Sequence, residues 1–151
     1  MTVDVVTEVV IDRPVADVAA YATDPTNAPS WYANIESVTW QTAPPAAVGS
    51  RMTFVARFLG RRLEYTYEIA ELVGGERLVM RTQQGPFPME TTYTWSREGD
   101  DATRMTLRNR GEPAGFSKLV GPLLAPAMRR ANTKDLAALK AILERGDTAL
   151  G

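Results

Sequence analysis

Four polar side chains of this sequence stand among apolar neighbours. Tyr65, Tyr67 and Tyr93 lie on segments that alternate in character, and Asn132 lies among Leu124, Met128, Leu136 and Leu139. A phenol or an amide in such a setting has two uses. It can bond to the backbone or to water inside a core, or it can orient a bound molecule. Both uses stay open here. Thr82, Thr91 and Asn109 fall on the same inward rows. The chain has no cysteine and no histidine, which removes thiolate chemistry, disulfides, the usual neutral-pH acid–base group and the commonest zinc ligands. Glu64, Glu68 and Glu90 occupy the opposite, polar rows. There they are expected to meet Arg57, Arg81, Arg104 and Arg108 across strands on a solvated face, so no pair of carboxylates is expected to converge in a cavity. Glu112, in a connector, is the next acid to consider. With no phosphate loop, nucleophile elbow or metal-ligand cluster, neither a metal nor a cofactor is expected, and no catalytic residue can be named.

These side chains need elements to hold them. Val3, Val5, Thr7, Val9 and Ile11 share one face of a first strand, Val3 to Asp12. Asp12 is expected to cap, and Pro14 to open, a helix to Ala22. Thr23-Asp24-Pro25 leads to a second short helix or turn ending at Trp31-Tyr32, then a strand from Ile35 to Gln41. Met52, Phe54 and Ala56 alternate with Thr53 and Val55. Leu63, Tyr65, Tyr67 and Ile69 alternate with Glu64, Thr66 and Glu68. Met89, Thr91, Tyr93 and Trp95 form a third such row, and Thr103, Met105 and Leu107 a fourth. Leu78 to Thr82 is a more ambiguous strand. Glycine- and aspartate-rich breaks between them read as hairpin turns, and one wet face marks an antiparallel sheet. A helical period then runs from about Lys118 to Arg145, interrupted near its start by Pro122 and Pro126.

The expected fold is therefore α+β, a seven-stranded curved antiparallel sheet around a long C-terminal helix, with two short helices between strands 1 and 2. A helix of about 24 residues spans roughly 36 Å but is only about 10–12 Å wide. A sheet of seven strands is roughly 30 Å across and must curl around it. Space between them is either a cavity of a few hundred Å³ or is filled by the large inward side chains. If it is a cavity, Trp31, Phe54, Tyr65, Tyr67, Met80, Tyr93, Met105, Met128 and Asn132 are its expected ligand-binding residues. Trp31, after the short helices, either packs over the core or closes the mouth together with Tyr32. Gly85-Pro86-Phe87-Pro88-Met89 is either a second lip or a stiff hairpin connection.

Several stretches carry a family likeness: Ile11-Asp12-Arg13-Pro14-Val15-Ala16-Asp17-Val18, Asp24-Pro25 followed by Trp31, the run from Gly99 to Leu107, and the run from Asp135 to Glu144. The chain resembles the Bet v 1-like, START-type (SRPBCC) superfamily in its bacterial polyketide cyclase/dehydrase and lipid-transport branch. The resemblance implies a helix-grip fold and binding of hydrophobic ligands such as lipids, polyketides or sterol-like molecules. Some such proteins are enzymes and many are carriers.

The 151 residues, 1–151, read as a single helix-grip ligand-binding domain, 44% hydrophobic and 23% charged, with a net charge of -1. No basic excess marks a nucleic-acid partner. Without a signal-like segment or an apolar span, no stable membrane insertion is expected and the cytoplasm is the expected location. The expected partner is a hydrophobic small molecule, lipid- or polyketide-like, and the expected role its binding or carriage. The alternative is an aromatic polyketide cyclase or dehydratase that works by positioning and hydrogen bonding. A regulatory interaction module is a third possibility.

Overall fold

The computed structural model describes residues 3–58, 60–84, 88–112 and 121–145. Alternation resolves into β1 (Val3–Ile11), β2 (Ile35–Trp40), β3 (Arg51–Phe58), β4 (Arg61–Val73), β5 (Arg77–Gln84), β6 (Met89–Arg97) and β7 (Thr103–Gly111). They form one antiparallel sheet in the order β1-β7-β6-β5-β4-β3-β2. From β2 onward each strand pairs with the next. Between β1 and β2 the chain crosses to the opposite edge through α1 (Val15–Thr23), a 3-10 turn (Pro25–Asn27) and α2 (Ala28–Trp31). Hairpin turns between consecutive strands use glycine in the left-handed region, among them Gly75 at φ 73° and Gly99 at φ 88°, where a side chain would be strained.

The sheet curves because its pairing slips at Ile35/Ser37, Thr66/Tyr67 and Ile69/Glu71, and each such bulge bends its strand. The inner face carries Tyr65, Tyr93, Met105 and Leu107, all buried, while Glu64 is exposed outside. On the outer face Glu68, Glu90, Arg104 and Arg108 are only half-exposed, because each is held in an ion pair. Glu90 meets Arg81 and Arg110, each at 2.7 Å, and Arg108 meets Asp4 at 2.6 Å. β5 is the strand with the least alternation, and the structure gives the reason: Leu78, Val79 and Met80 are all buried.

The last helix, α3 (Gly121–Glu144), lays Leu124, Met128, Asn132, Leu136, Leu139 and Leu143 inward. Pro126 falls inside it without ending it. The expected first residues of this helix, 118–120, lie outside the described residues, as do 85–87 of the expected lip. Asp12 does not cap α1, contrary to expectation. Pro14 takes that position with no side-chain cap. The Asp12 backbone N–H instead donates to Glu144 at 2.7 Å, and Arg13 donates to the Leu143 carbonyl at 2.7 Å. The β1–α1 junction thus closes the far end of α3: the Arg13 guanidinium answers one of the helix's orphaned terminal carbonyls, and the Asp12 N–H holds the Glu144 side chain. Farther along the edge, Arg129 donates to the Val6 carbonyl and Lys140 to the Val10 carbonyl. No helix among the described residues is long and apolar enough to cross a membrane.

Candidate functional site

The interior divides into two apolar clusters. One holds Trp31, Tyr93, Met105, Leu136 and Leu139. The other holds Val5, Leu63, Tyr65, Met89, Leu124 and Met128. Tyr67 packs against both. At their seam, between α3 and the inner face of the sheet, lies a cavity of about 150 Å³. It is smaller than the few hundred Å³ expected. Aromatic rings take up the difference: Phe54 and Tyr67 meet edge to face at 5.6 Å, and Tyr65 stands 5.9 Å from Tyr67. The partly exposed lining residues Asn34, Ile35, Ala56 and Ala131 mark its rim.

Alternation brings Phe54, Tyr65, Tyr67, Met80 and Tyr93 to this cavity from the sheet, and the helical period brings Met128 and Asn132. Two expected ligand-binding residues are not part of the lining. Met105 is fully buried, on β7 opposite Trp95 and Val9, and packs in the first cluster. Trp31 is 2% exposed and lies behind Tyr32, with ring centroids 4.1 Å apart. In the single turn of α2, Trp31 takes the core position and Tyr32 the cavity position. Trp31 therefore packs over the core and supports the ring that lines the site.

Besides Asn34 at the rim and the Tyr65 phenol, the polar groups of the cavity gather in two places. On the sheet side, Thr91 donates to Asn109 at 2.7 Å. Burial pushes the Tyr67 phenol up to about 12, opposed by a hydrogen bond with Thr91. On the helix side, the hydroxyls of Tyr32 and Tyr93 lie 2.6 Å apart. Burial raises both phenols above their ordinary value, and the nearby Asp135 carboxylate adds to the rise. Both tyrosines are thus neutral at physiological pH, one donating to the other.

Asp135 is the residue that sequence reasoning missed. It lines the cavity at 2% exposure and accepts a hydrogen bond from the Ala33 backbone N–H at 3.0 Å. Burial pushes its carboxyl up to about 6, and the Ala33 N–H partly offsets this. The acids weighed from the sequence are Glu64, Glu68, Glu90 and Glu112, and Asp135 is not among them. The signal was present: Met128, Asn132, Asp135 and Leu139 are spaced four, three and four residues apart, one stripe of a helix. Among the described lining residues Asp135 is the one ionised at neutral pH, and no lysine or arginine accompanies it. Close by, the Asn132 Nδ2 is buried without a partner. No group of three acidic, histidine or cysteine side chains that could hold a metal occurs among the described residues. A broader outer cleft of about 1030 Å³ lies between α1 and residues 44–46. Its one ionisable side chain, Asp24, is occupied by Thr26, so the smaller inner cavity is the better candidate site.

The polyketide cyclase/dehydrase and lipid transport family matches residues 2–144. No curated protein matches the chain. Solved structures with the same fold include the protein TTHA0849 from Thermus thermophilus, at 23% identity and a TM-score of 0.81 over 95% of this chain and 99% of that one. A START superfamily protein from Mycobacterium smegmatis gives 15% identity and 0.82 over 95% and 99%. The Zhui aromatase/cyclase from a Streptomyces species gives 15% and 0.82 over 100% and 99%. At these identities the likeness establishes the helix-grip fold.

Proposed function

Because the chain belongs to the polyketide cyclase/dehydrase and lipid transport family, we propose that it binds or carries a small, mostly apolar molecule in the cavity between α3 and the sheet. The observation that carries this reading is a cavity walled by Phe54, Leu63, Met80, Met89 and Met128, with a limited set of polar groups among them. Such a site draws its affinity from apolar burial, at about 25 cal/mol per Å², and its orientation from a few polar contacts. A cavity near 150 Å³ accepts a body the size of one aromatic ring. A lipid- or polyketide-like molecule would enter by one end and leave its remainder at the Asn34–Ile35 rim.

Methionine-methyl spectroscopy tests the reading with toluene as probe. The Met80, Met89 and Met128 resonances should shift on titration, while Met52 and Met105, which do not line the cavity, stay still. Ala131→Trp should abolish the shifts without unfolding the protein. Absence of any shift, or shifts that survive in Ala131→Trp, would remove the cavity from consideration.

A second reading, an aromatic polyketide cyclase or dehydratase, is favoured by one observation. A carboxyl with a pKa of about 6 faces the cavity, within the range useful for proton transfer near neutral pH, and two neutral phenols stand near it. Turnover that collapses in Asp135→Asn while ligand affinity holds would favour the enzyme over the carrier.

A further inference from the structure

Asn132 and Asp135 stand three residues apart on α3 and both line the cavity. Side chains at that spacing are helix neighbours, with Cβ atoms about 5–6 Å apart. Their needs are opposite. The Asn132 Nδ2 is a buried donor without an acceptor. The Asp135 carboxylate has one hydrogen bond among the described residues, from Ala33, and retains lone pairs to accept more. A buried donor without a partner is costly, and such a donor beside a carboxylate with spare lone pairs, in one cavity, is a site waiting for complementary chemistry.

We infer that Asn132 and Asp135 form a subsite for a neutral hydroxyl, whether alcohol, phenol or enol, carried by the ligand. The inference rests on the cavity being a ligand site. One hydroxyl oxygen lying about 2.8 Å from each group spans the separation between the two side chains. It accepts from Asn132 and donates to Asp135. The alternatives each leave a group unanswered. A carboxylate would accept from Asn132 but face the Asp135 charge, with no lysine or arginine in the described lining to offset it. An ammonium would pair with Asp135 but offer nothing to Asn132. The groups facing Asp135 from other elements are the Tyr32 and Tyr93 phenols and the Ala33 N–H. None of these is cationic.

Four probes with one ring separate the cases: toluene, benzyl alcohol, benzylamine and benzoate, titrated calorimetrically at pH 7.5. Benzyl alcohol should bind most tightly, about fivefold to thirtyfold above toluene, as one or two net hydrogen bonds imply. Asn132→Leu and Asp135→Asn should each erase most of that margin and leave toluene affinity within about twofold. Benzoate should bind worst at pH 7.5 and recover below pH 6, when Asp135 is protonated. Equal binding of toluene and benzyl alcohol, unaffected by either substitution, overturns the hydroxyl subsite while leaving the container intact. Benzylamine as the tightest probe, dependent on Asp135 alone, overturns it in favour of a cation site. Failure of all four, toluene included, removes the ligand-site reading itself.

Discussion

The phenolic oxygens of Tyr32 and Tyr93 meet at 2.6 Å across the helix side of the cavity. Tyr32 immediately follows α2, and Tyr93 is central in β6. At 61 residues apart in sequence, they join the short-helix segment to the middle of the sheet. Trp31 stacks behind the pair, 4.1 Å from the Tyr32 ring and 5.8 Å from the Tyr93 ring.

Removing either hydroxyl should cost about 1 kcal/mol of stability, the net value of one hydrogen bond. Tyr32→Phe combined with Tyr93→Phe should cost little more than either alone, because each single change already breaks the shared bond. Urea unfolding of the three variants gives the coupling energy. Additive losses would show that the two hydroxyls stabilise the fold independently.

The pH dependence of stability follows from Asp135. Its carboxyl is pushed up to about 6 in the folded chain, against about 3.9 when unfolded. A raised carboxyl binds its proton more tightly in the native state. Its contribution is therefore fully present below about pH 4 and is lost as pH rises through about 6, with a total cost on the order of 3 kcal/mol. Asp135→Asn keeps an oxygen for the Ala33 N–H and removes the charge. It should raise stability at pH 8 by about 1–3 kcal/mol and abolish the slope between about pH 4 and 6. An unchanged slope in that variant would mean that another group titrates there.

Two buried positions on α3 should respond differently to truncation. Leu139 is fully buried in the first cluster, and Leu139→Ala should cost about 2–5 kcal/mol. Met128 already borders empty space, so Met128→Ala deletes fewer contacts, should fall at or below the lower end of that range, and should enlarge the site enough to admit a second ring. Thermal unfolding and titration with naphthalene compare the two.

Gly111 is held by lack of room. A Cβ there would meet the Pro88 carbonyl oxygen at 2.6 Å and collide with the Met89 sulfur. Gly111 pairs with both Val3 and Met89, so neither neighbouring strand can retreat freely. Gly111→Ala should cost about 1–3 kcal/mol, the range for overpacking, and should perturb the Met89 methyl resonance. A neutral change would indicate that Met89 repacks without loss.

The sheet was legible because period two is a local property. Tyr65, Tyr67 and Tyr93 reach one face whatever the distant chain does, and the glycine-bearing turns reset the register between strands. The site was legible only in part, for reasons particular to each residue. Asn132 stood out as an amide in an apolar stripe, but Asp135, three residues on, was hidden by the ordinary habit of charged residues to face water. Its burial depends on the Ala33 N–H, a partner from a loop 102 residues away, which no local pattern announces. Trp31 and Tyr32 are adjacent at the end of a helix of one turn, too short to have a face of its own. Which ring lines the cavity was decided by how the chain enters β2. Asp12 was expected to cap α1, but the helix begins later, with Pro14 in the cap position, and Asp12 is drawn instead to the end of α3 through its N–H.

The contacts of Arg129 with the Val6 carbonyl and of Lys140 with the Val10 carbonyl also govern how the molecule meets copies of itself. β1 is an edge of the sheet, and β2 is the other. An exposed edge invites a foreign strand to add on. At β1 two cations of α3 already hold carbonyls four residues apart, so part of that edge is occupied by side-chain donors. Among the described residues no side chain of α3 reaches the main chain of β2. The two rims of the sheet are therefore unequal. A strand adding at β1 would have to displace those two contacts, whereas among the described residues no such contact from α3 guards β2.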